Sequence, residues 1–160
     1  MHNNNFEKGQ SLVEVVVALS IAVLIVIAFT NATLVAVRDA QFAKNQNQAT
    51  RIAQRSLELI RAVRDQDNEV DSGTWNSLWG SSSLNSGKCY ILNETDATLT
   101  SATNCNDTSD QQIDSVFKRK IRLTNSPSTP GKIDVYVKVY WTDGRGTHAS
   151  ETTTLLTNWQ

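Results

Sequence analysis

Few residues of this 160-residue chain have types and spacings that could do chemistry. Glu14 is a lone carboxylate near the start of a long apolar run, and the polar stretch before that run ends in Gly9. Cys89 and Cys105 are the only cysteines, and the chain has two histidines. This set contains no nucleophile–base pair, metal cluster or phosphate loop, so we expect no enzyme, no cofactor and no metal centre.

The overall charge indicates no particular partner. Fifteen Lys and Arg residues nearly balance sixteen Asp and Glu residues, giving a formal net charge of −1. A nucleic-acid binder that works through bulk charge is therefore not expected. The length allows one ordinary domain. Much of the apolar content lies in residues 12–37, and the second half, rich in Ser, Thr and Asn, predicts a modest core.

The element that must position Glu14 is an apolar helix. Residues 15–37 carry no charge and lie between Glu14 and Arg38. As a helix they would span roughly 35 Å, which is enough to cross the hydrocarbon core of a bilayer. A secretory signal has a shorter apolar stretch followed by its cleavage site, whereas the cleavage-like residues here come first. We therefore predict a transmembrane segment over 12–37 that stays on the mature protein.

The same helix is predicted to continue beyond the membrane segment. No Gly or Pro occurs between Gln10 and Ser72, so one helix over 10–64 can form and reach about 80 Å. Its second part is amphipathic, and we expect the apolar stripe to pack on a folded domain. The stripe consists of Ala49, Ile52, Ala53, Ser56, Leu59, Ile60 and Val63.

The rest of the chain, 65–160, predicts a small antiparallel sheet. Residues 65–88 are typical of a loop, and a first short strand follows at Lys88–Leu92. Sequential hairpins form an antiparallel meander with one face covered by the helix, so the expected fold class is α+β. Alternating residues and turn signals predict three further strands, at Phe117–Leu123, Lys132–Trp141 and Thr147–Leu156.

The residues around Glu14 resemble a known signal. The run KGQSLVEVVVAL over residues 8–19 is similar to the class III (prepilin) signal of type IV pilins and type II secretion pseudopilins. It looks most like the signals of V-type minor pilins and I-type minor pseudopilins. The resemblance implies that residues 1–9 are a leader and that a prepilin peptidase cuts between Gly9 and Gln10. Glu14 would then be the fifth residue of the mature chain, where the family keeps its glutamate.

Two positions depart from the family pattern. Gln10 replaces the phenylalanine or methionine common at the first mature position, which leaves N-methylation or cyclisation of its amine open. Many major pilins carry a helix-breaking proline about where Asn31 stands, and its absence favours a minor pilin or pseudopilin. A type IV pilus, a type II secretion system and a competence system all stay open.

The resemblance implies a filament subunit with an α/β-roll headgroup. The helix would hold the chain in the inner membrane, with residues 65–160 outside the cytoplasm, until it joins an extracellular filament. Its partners would be the prepilin peptidase, other pilin subunits, the assembly platform and, before assembly, membrane lipid. Glu14 would pair with the Gln10 amine of a neighbouring subunit, since pairing offsets the desolvation of both charges. Taken alone, Glu14 is equally compatible with a helix-entry residue that reaches the lipid headgroups.

The extracytoplasmic location bears on the two cysteines. Outside the cytoplasm a disulfide persists, so we expect Cys89 and Cys105 to pair. Closing this loop of about 15 residues would stabilise the domain by roughly 3 kcal/mol. The alternative is two unrelated thiols, because a sequence does not show whether the sulfurs come within bonding distance. The segment between them, Tyr90–Asn104, is polar and predicted to be exposed.

Three further patterns carry less specific hypotheses. Alternating acidic residues suggest calcium, although Val70 stands where the EF-hand template needs glycine, and a solvated loop is favoured. A basic row suggests DNA contact, since some minor pilins serve DNA uptake, although such a row is usually the solvated face of a strand. A tryptophan pair suggests a binding face or, more simply, a cap on the core. The alternating acidic residues are Asp65, Asp67, Glu69 and Asp71, the basic row is Lys118, Arg119, Lys120 and Arg122, and the tryptophan pair is Trp75 and Trp79.

A second hypothesis for the whole chain is a single-span, membrane-anchored extracellular binding module, such as an adhesin or a sensor ectodomain. Such a protein would use the helix only as an anchor and would need neither Glu14 nor a cut after Gly9. The two hypotheses therefore differ in the mature N-terminus, which is Gln10 for a filament subunit and Met1 for an uncut anchor.

Overall fold

The computed structural model describes residues 7–69, 84, 87–102, 105, 110–129 and 131–157. These residues form an α+β fold, as the sequence predicts, in which one long helix packs on an antiparallel sheet. The elements are α1 (Glu7–Glu69), β1 (Lys88–Asn93), β2 (Thr98–Ser101), β3 (Gln111–Gln112), β4 (Phe117–Asn125), β5 (Lys132–Asp143) and β6 (Gly146–Thr157).

The helix is longer than the predicted range 10–64 at both ends. It begins at Glu7 and ends at Glu69, so residues 65–69 of the predicted loop are helical. Asp, Gln and Asn cost a helix only a few tenths of a kcal/mol each, whereas the strong breakers, Gly and Pro, are absent from Gln10 to Ser72. Polar composition alone therefore does not stop the helix at Arg64.

The chain divides into two compact units, residues 1–44 and residues 45–160. The described part of the first unit is α1 from Glu7 to Lys44. The second unit contains the remainder of α1 and the whole sheet, with the strand order β2-β1-β4-β5-β6 and β3 paired with β4. Strands β4, β5 and β6 form the predicted meander, while β1 and β2 form a separate hairpin that joins it through β4. The short strands β2 and β3 were not predicted, because four and two mostly polar residues carry no periodic signal.

The core of the second unit lies between one face of the sheet and one stripe of α1. Five residues of the predicted stripe are buried, namely Ala49, Ala53, Ser56, Ile60 and Val63, while Ile52 and Leu59 are only half-buried and Leu57, which was not predicted, is buried. Ala49 and Ala53 are fully buried, and such small side chains let a helix approach a sheet closely. The inner-face residues of β5 are 0–1% exposed, namely Ile133, Val135, Val137, Val139 and Trp141.

The segment Tyr90–Asn104 corrects an expectation, because part of it is buried. It forms most of the β1–β2 hairpin, in which Tyr90, Leu92 and Leu99 are at most 4% exposed. The large apolar residues are few, namely Tyr90, Ile91 and Leu92 in β1 and Leu99 in β2, so the polar composition of the rest of the segment hides its inner face. The prediction of an exposed segment is therefore wrong for the hairpin.

Candidate functional site

The first part of α1 presents an apolar surface in every direction. Its large apolar side chains from Leu12 to Val37 are 50–75% exposed, and no residue of its most apolar 18-residue window is buried. A helix that faces water on one side confines its apolar residues to a stripe, whereas this one is apolar all round. Length and composition make this helix a candidate single membrane span.

Three hydroxyl groups within the apolar segment are satisfied by the helix itself. Ser20, Thr30 and Thr33 each donate a hydrogen bond of 2.8 Å to the carbonyl oxygen four residues earlier. In a lipid environment, a polar group without a partner costs free energy because no water is present to bind it. These internal bonds therefore make the hydroxyls compatible with hydrocarbon.

The residues of the predicted cleavage and assembly site lie at the beginning of α1. Gly9 and Gln10 belong to the first turn, and Glu14 follows one turn after Gln10. The Glu14 side chain is exposed and forms no ion pair within the described part of the chain. A carboxylate at the edge of a candidate span is thus available to a partner from outside this chain.

Cys89 and Cys105 form a disulfide, with their Cα atoms 5.2 Å apart. Cys89 alternates with the inward-facing Tyr90 and lies opposite Arg122, so it belongs to the outer face, the face of the sheet turned away from α1. The bond joins the segment after β2 to that face. The Ala102 N–H donates a hydrogen bond of 2.8 Å to the Cys89 carbonyl and holds the start of the same segment.

Arg119 occupies a position that the basic-row hypothesis did not anticipate. It lies two residues from Phe117 and two from Ile121, so strand alternation turns it inward with them, and its side chain is 1% exposed. The guanidinium donates four hydrogen bonds of 2.7–3.0 Å. The acceptors are Ser56 Oγ, Glu94 Oε1, Gln111 Oε1 and the Leu92 carbonyl oxygen.

The Gln111 side chain makes the hydrogen bonds to the Leu92 backbone that a neighbouring strand would otherwise make. Strand β1 pairs with β4 only as far as Tyr90, so the backbone of Leu92 has no partner in β4. The Gln111 side-chain amide accepts from the Leu92 N–H at 3.3 Å and donates to the Leu92 carbonyl at 2.8 Å. We call Arg119, Ser56, Glu94, Gln111 and Leu92 the buried arginine cluster; it connects α1 with β1, β3 and β4.

The charge of this cluster is only partly compensated. Burial lowers the pKa of Arg119, and the hydrogen bond and charge of Glu94 oppose that shift. Glu94 is 32% exposed in its side chain and also pairs with Arg55 at 3.5 Å. Desolvation of such a pair can exceed its Coulombic gain, so the cluster fixes the geometry of the elements more than it adds stability.

The predicted basic row on β4 is interrupted in the structure. Arg119 faces the core, and Lys120 pairs with Asp110 at 3.3 Å, where the two side chains are 15% and 2% exposed. Lys118 and Arg122 remain exposed on the outer face. The placement of Arg119 in a solvated row was therefore wrong. DNA contact stays a prediction, and only Lys118 and Arg122 of the four residues in the predicted row are exposed.

Several hypotheses about the start of the headgroup fall partly outside the described residues. Asp65 is in α1 and pairs with Arg64 at 2.8 Å. Asp71, Trp75 and Trp79 lie outside the described residues, so calcium binding and a tryptophan face stay predictions. Within the ranges that the structure describes, no group of three His, Cys, Asp or Glu side chains could hold a metal ion.

His148 contacts the turn between β5 and β6. Its Nε2 atom lies 3.0 Å from Asp143 Oδ1, and its ring centroid is 5.4 Å from that of Trp141. The Arg145 N–H donates to the same Asp143 oxygen at 2.7 Å. The Arg145 hydrogen bond first, and that of His148 second, hold the pKa of Asp143 below its ordinary value. This arrangement stabilises the turn.

Comparisons with known proteins give no match: no family model, no curated protein and no solved structure is similar to this chain. The pilin resemblance therefore rests on the sequence, that is, on the run over residues 8–19 and the apolar segment that follows it.

Proposed function

We propose that this chain is a minor pilin or pseudopilin, a structural subunit of a type IV pilus-like filament. One observation carries the proposal: a single helix combines an exposed, uncharged apolar segment with a part that packs on a disulfide-closed sheet. The prepilin-like run over residues 8–19 stands at the start of this helix. A helix of this kind serves first as a membrane anchor and then as the packing element of a helical filament.

The proposed assembly step depends on the charge at the membrane edge. Cleavage between Gly9 and Gln10 would expose an amine one helical turn before Glu14. In low dielectric, a carboxylate and an amine from neighbouring subunits attract strongly, and each offsets the desolvation of the other. A slip of one residue would leave both charges unpaired, so Glu14 would set the register of the helices. The apolar segments would stay buried, first in lipid and then against one another.

The proposal names a location and partners for the chain. Before assembly the apolar segment would lie in the inner membrane, with the sheet domain outside the cytoplasm, where the Cys89–Cys105 disulfide persists. A prepilin peptidase would process the chain, and an inner-membrane platform would add it to other pilin subunits.

The mature N-terminus tests the proposal. The chain is expressed with and without a prepilin peptidase, and the membrane form is characterised by N-terminal sequencing and intact mass. We expect a chain that begins at Gln10 only when the peptidase is present, and the same mass reports any methylation or cyclisation. Gly9→Val should block the cut, while Gln10→Phe should preserve it. A wild-type chain that begins at Met1 under both conditions would contradict the proposal and favour a membrane-anchored binding module.

A further inference from the structure

A polar cavity of about 360 Å³ opens on the outer face of the sheet, where β4 begins and β5 ends. It is separate from the membrane segment and from the buried arginine cluster, and the proposed filament role does not use it. Its lining includes Gln112, Ser115, Val116, Lys118, Tyr140 and Thr142.

The floor of the cavity is a row of three side chains in register. Gln112 pairs with Lys118, and Lys118 pairs with Tyr140, across β3, β4 and β5. Residues directly opposite on adjacent strands project from the same face about 5 Å apart. The sheet therefore places an amide, an ammonium group and an aromatic ring side by side.

The wall of the cavity is the loop between β3 and β4, which is fixed by hydrogen bonds. Asp114 Oδ1 accepts from the backbone N–H groups of Val116 and Phe117 at 2.7 and 2.8 Å. The Ile113 N–H donates to the Phe117 carbonyl at 3.0 Å. Side chains held on such a support lose little freedom when a ligand binds, which favours recognition.

Hydrogen-bond contacts also hold the side chains at the floor and rim of the cavity in place. The Tyr140 hydroxyl donates to Asp110, so the ring is held in place. Gln112 donates its amide N–H to the Asp114 carbonyl, which orients its own carbonyl oxygen as an acceptor. Thr142 Oγ1 lies 3.1 Å from Thr147 Oγ1 at the rim.

The charge of the lining favours an anionic ligand. Lys118 is exposed and forms no ion pair within the described residues, and the lining contains no carboxylate. The two nearby acids are engaged elsewhere: Asp110 binds Lys120 and Tyr140, and Asp114 binds backbone N–H groups. A negative group in the cavity would therefore lie beside one cation, Lys118, in a lining that contains no carboxylate.

We propose that this cavity binds an acidic sugar unit, a hexuronate, with its carboxylate against Lys118. Amide and hydroxyl groups of Gln112, Ser115 and Thr142 suit sugar hydroxyls, because each can accept or donate a hydrogen bond. The Tyr140 ring and Val116, which is 46% exposed, offer an apolar surface to the face of the sugar ring. The volume lies at the lower end of small-molecule sites and matches one or two sugar units.

Titration of the full chain in detergent micelles with glucuronate and with methyl glucoside tests this proposal. We expect glucuronate to bind more tightly and Lys118→Gln to weaken it by about tenfold or more, since a charge-assisted hydrogen bond is lost. Lys88→Gln removes the same charge from an exposed strand position outside the cavity, so it should leave binding unchanged. Equal binding of the two sugars, no binding at millimolar glucuronate, or equal effects of the two lysine variants would each overturn the proposal.

A steric variant shows where the sugar binds. Ser115 is an exposed loop residue, so Ser115→Trp should fill the cavity without disturbing the fold, which circular dichroism verifies. We expect this variant to lose glucuronate binding. Binding that persists in a folded Ser115→Trp protein would overturn the assignment of this cavity.

Discussion

The two parts of α1 use apolar side chains in opposite ways. From Leu12 to Val37 the large apolar side chains surround the helix and are at least half exposed, whereas from Ala49 to Val63 most apolar side chains form one stripe that is buried against the sheet. Both parts belong to one helix without Gly or Pro after Gly9, so helix propensity does not distinguish them. The angular distribution of apolar residues does: an all-round distribution requires apolar surroundings, and a stripe requires one apolar partner.

This difference separates folding from assembly. The second part of α1 is fixed by contacts within its own unit, such as Thr50 with Ser150 and Ser56 with Arg119. The first part has its apolar surface open to lipid or to other helices. Substitutions in the two parts should therefore affect different measurements, and the four predictions below test that separation in order of decreasing effect.

The largest effect is expected from Glu14→Ala. If Glu14 pairs with the amine of a neighbouring subunit, its removal leaves that amine unpaired in low dielectric. This costs about 3–5 kcal/mol, which corresponds to a more than hundredfold loss of incorporation. We expect membrane insertion and the thermal stability of the sheet domain to stay unchanged. The amount of subunit in sheared filaments, relative to the amount in membranes, measures the effect. Glu58→Ala removes an exposed glutamate from the second part of α1 and should incorporate normally; normal incorporation of Glu14→Ala would refute the pairing.

The second effect concerns the other part of the helix. Arg119→Met removes four hydrogen bonds from the buried arginine cluster and should destabilise the second unit by about 3 kcal/mol. Urea denaturation of the full chain in micelles, followed by near-UV circular dichroism, measures the loss, while membrane insertion should be normal. Arg122→Met makes the same change on the outer face of the same strand and should stay within about 0.5 kcal/mol of the wild type.

A double variant separates two causes of the stability loss in Arg119→Met, namely the weaker charge compensation of the Glu94 carboxylate and the loss of side-chain packing. Arg119→Met leaves Glu94 with only its longer contact to the exposed Arg55, at 3.5 Å. If part of the cost of Arg119→Met comes from this loss of charge compensation, then Glu94→Gln should recover that part. Equal stability of Arg119→Met and Arg122→Met would contradict the structural role of the cluster.

Patterns that extend over many residues predict the main elements of this fold. The uncharged run, the amphipathic stripe and the alternation of β4 and β5 each extend over many residues. A single residue that departs from such a pattern therefore does not hide it. The α+β class and the order of the long strands follow from these patterns. The helix ends and the two short strands do not, because polar residues without Gly or Pro mark no helix end and strands of 4 and 2 residues carry no periodic signal.

The side-chain details were harder to predict because long-range contacts decide them. Strand alternation already places Arg119 with Phe117 and Ile121, but a buried cation is expected only once its acceptors are known. Those acceptors come from Ser56, Glu94 and Gln111, which are separated from Arg119 by 63, 25 and 8 residues. The alternation of β4, which places Arg119 on the same face as Phe117 and Ile121, was the available signal for its burial. The positive charge of Arg119 argued against burial and so concealed that signal.

The third effect is the loss of the disulfide. Replacing both Cys89 and Cys105 by Ser should destabilise the second unit by roughly 2–3 kcal/mol, because the reduced chain gains freedom in a loop of about 15 residues. Urea denaturation measures this loss, and reductant should lower the stability of the wild type but not of the double variant. No change in the denaturation midpoint on reduction would show that the bond does not constrain the unfolded chain.

The smallest effect is a pH dependence at the β5–β6 turn. The folded pKa of Asp143 is lowered by the Arg145 N–H and by His148, so its contribution to stability is present above the unfolded pKa. That contribution is lost as pH falls through the folded pKa, which lies below the ordinary aspartate value of about 4. Asp143→Asn should therefore lower Tm by at most a few degrees near neutral pH and match the wild type at the acid end.

Thermal melts of the wild type and Asp143→Asn at neutral and acidic pH check this prediction. Asp134→Asn removes a carboxylate from the same strand away from the turn, so its Tm should run parallel to that of the wild type. Tm curves of Asp143→Asn and wild type that stay parallel down to the acid end would contradict a role for ionised Asp143 in the turn. Since the turn belongs to the second unit, Asp143→Asn should leave filament incorporation unchanged, whereas Glu14→Ala should abolish incorporation and leave Tm unchanged.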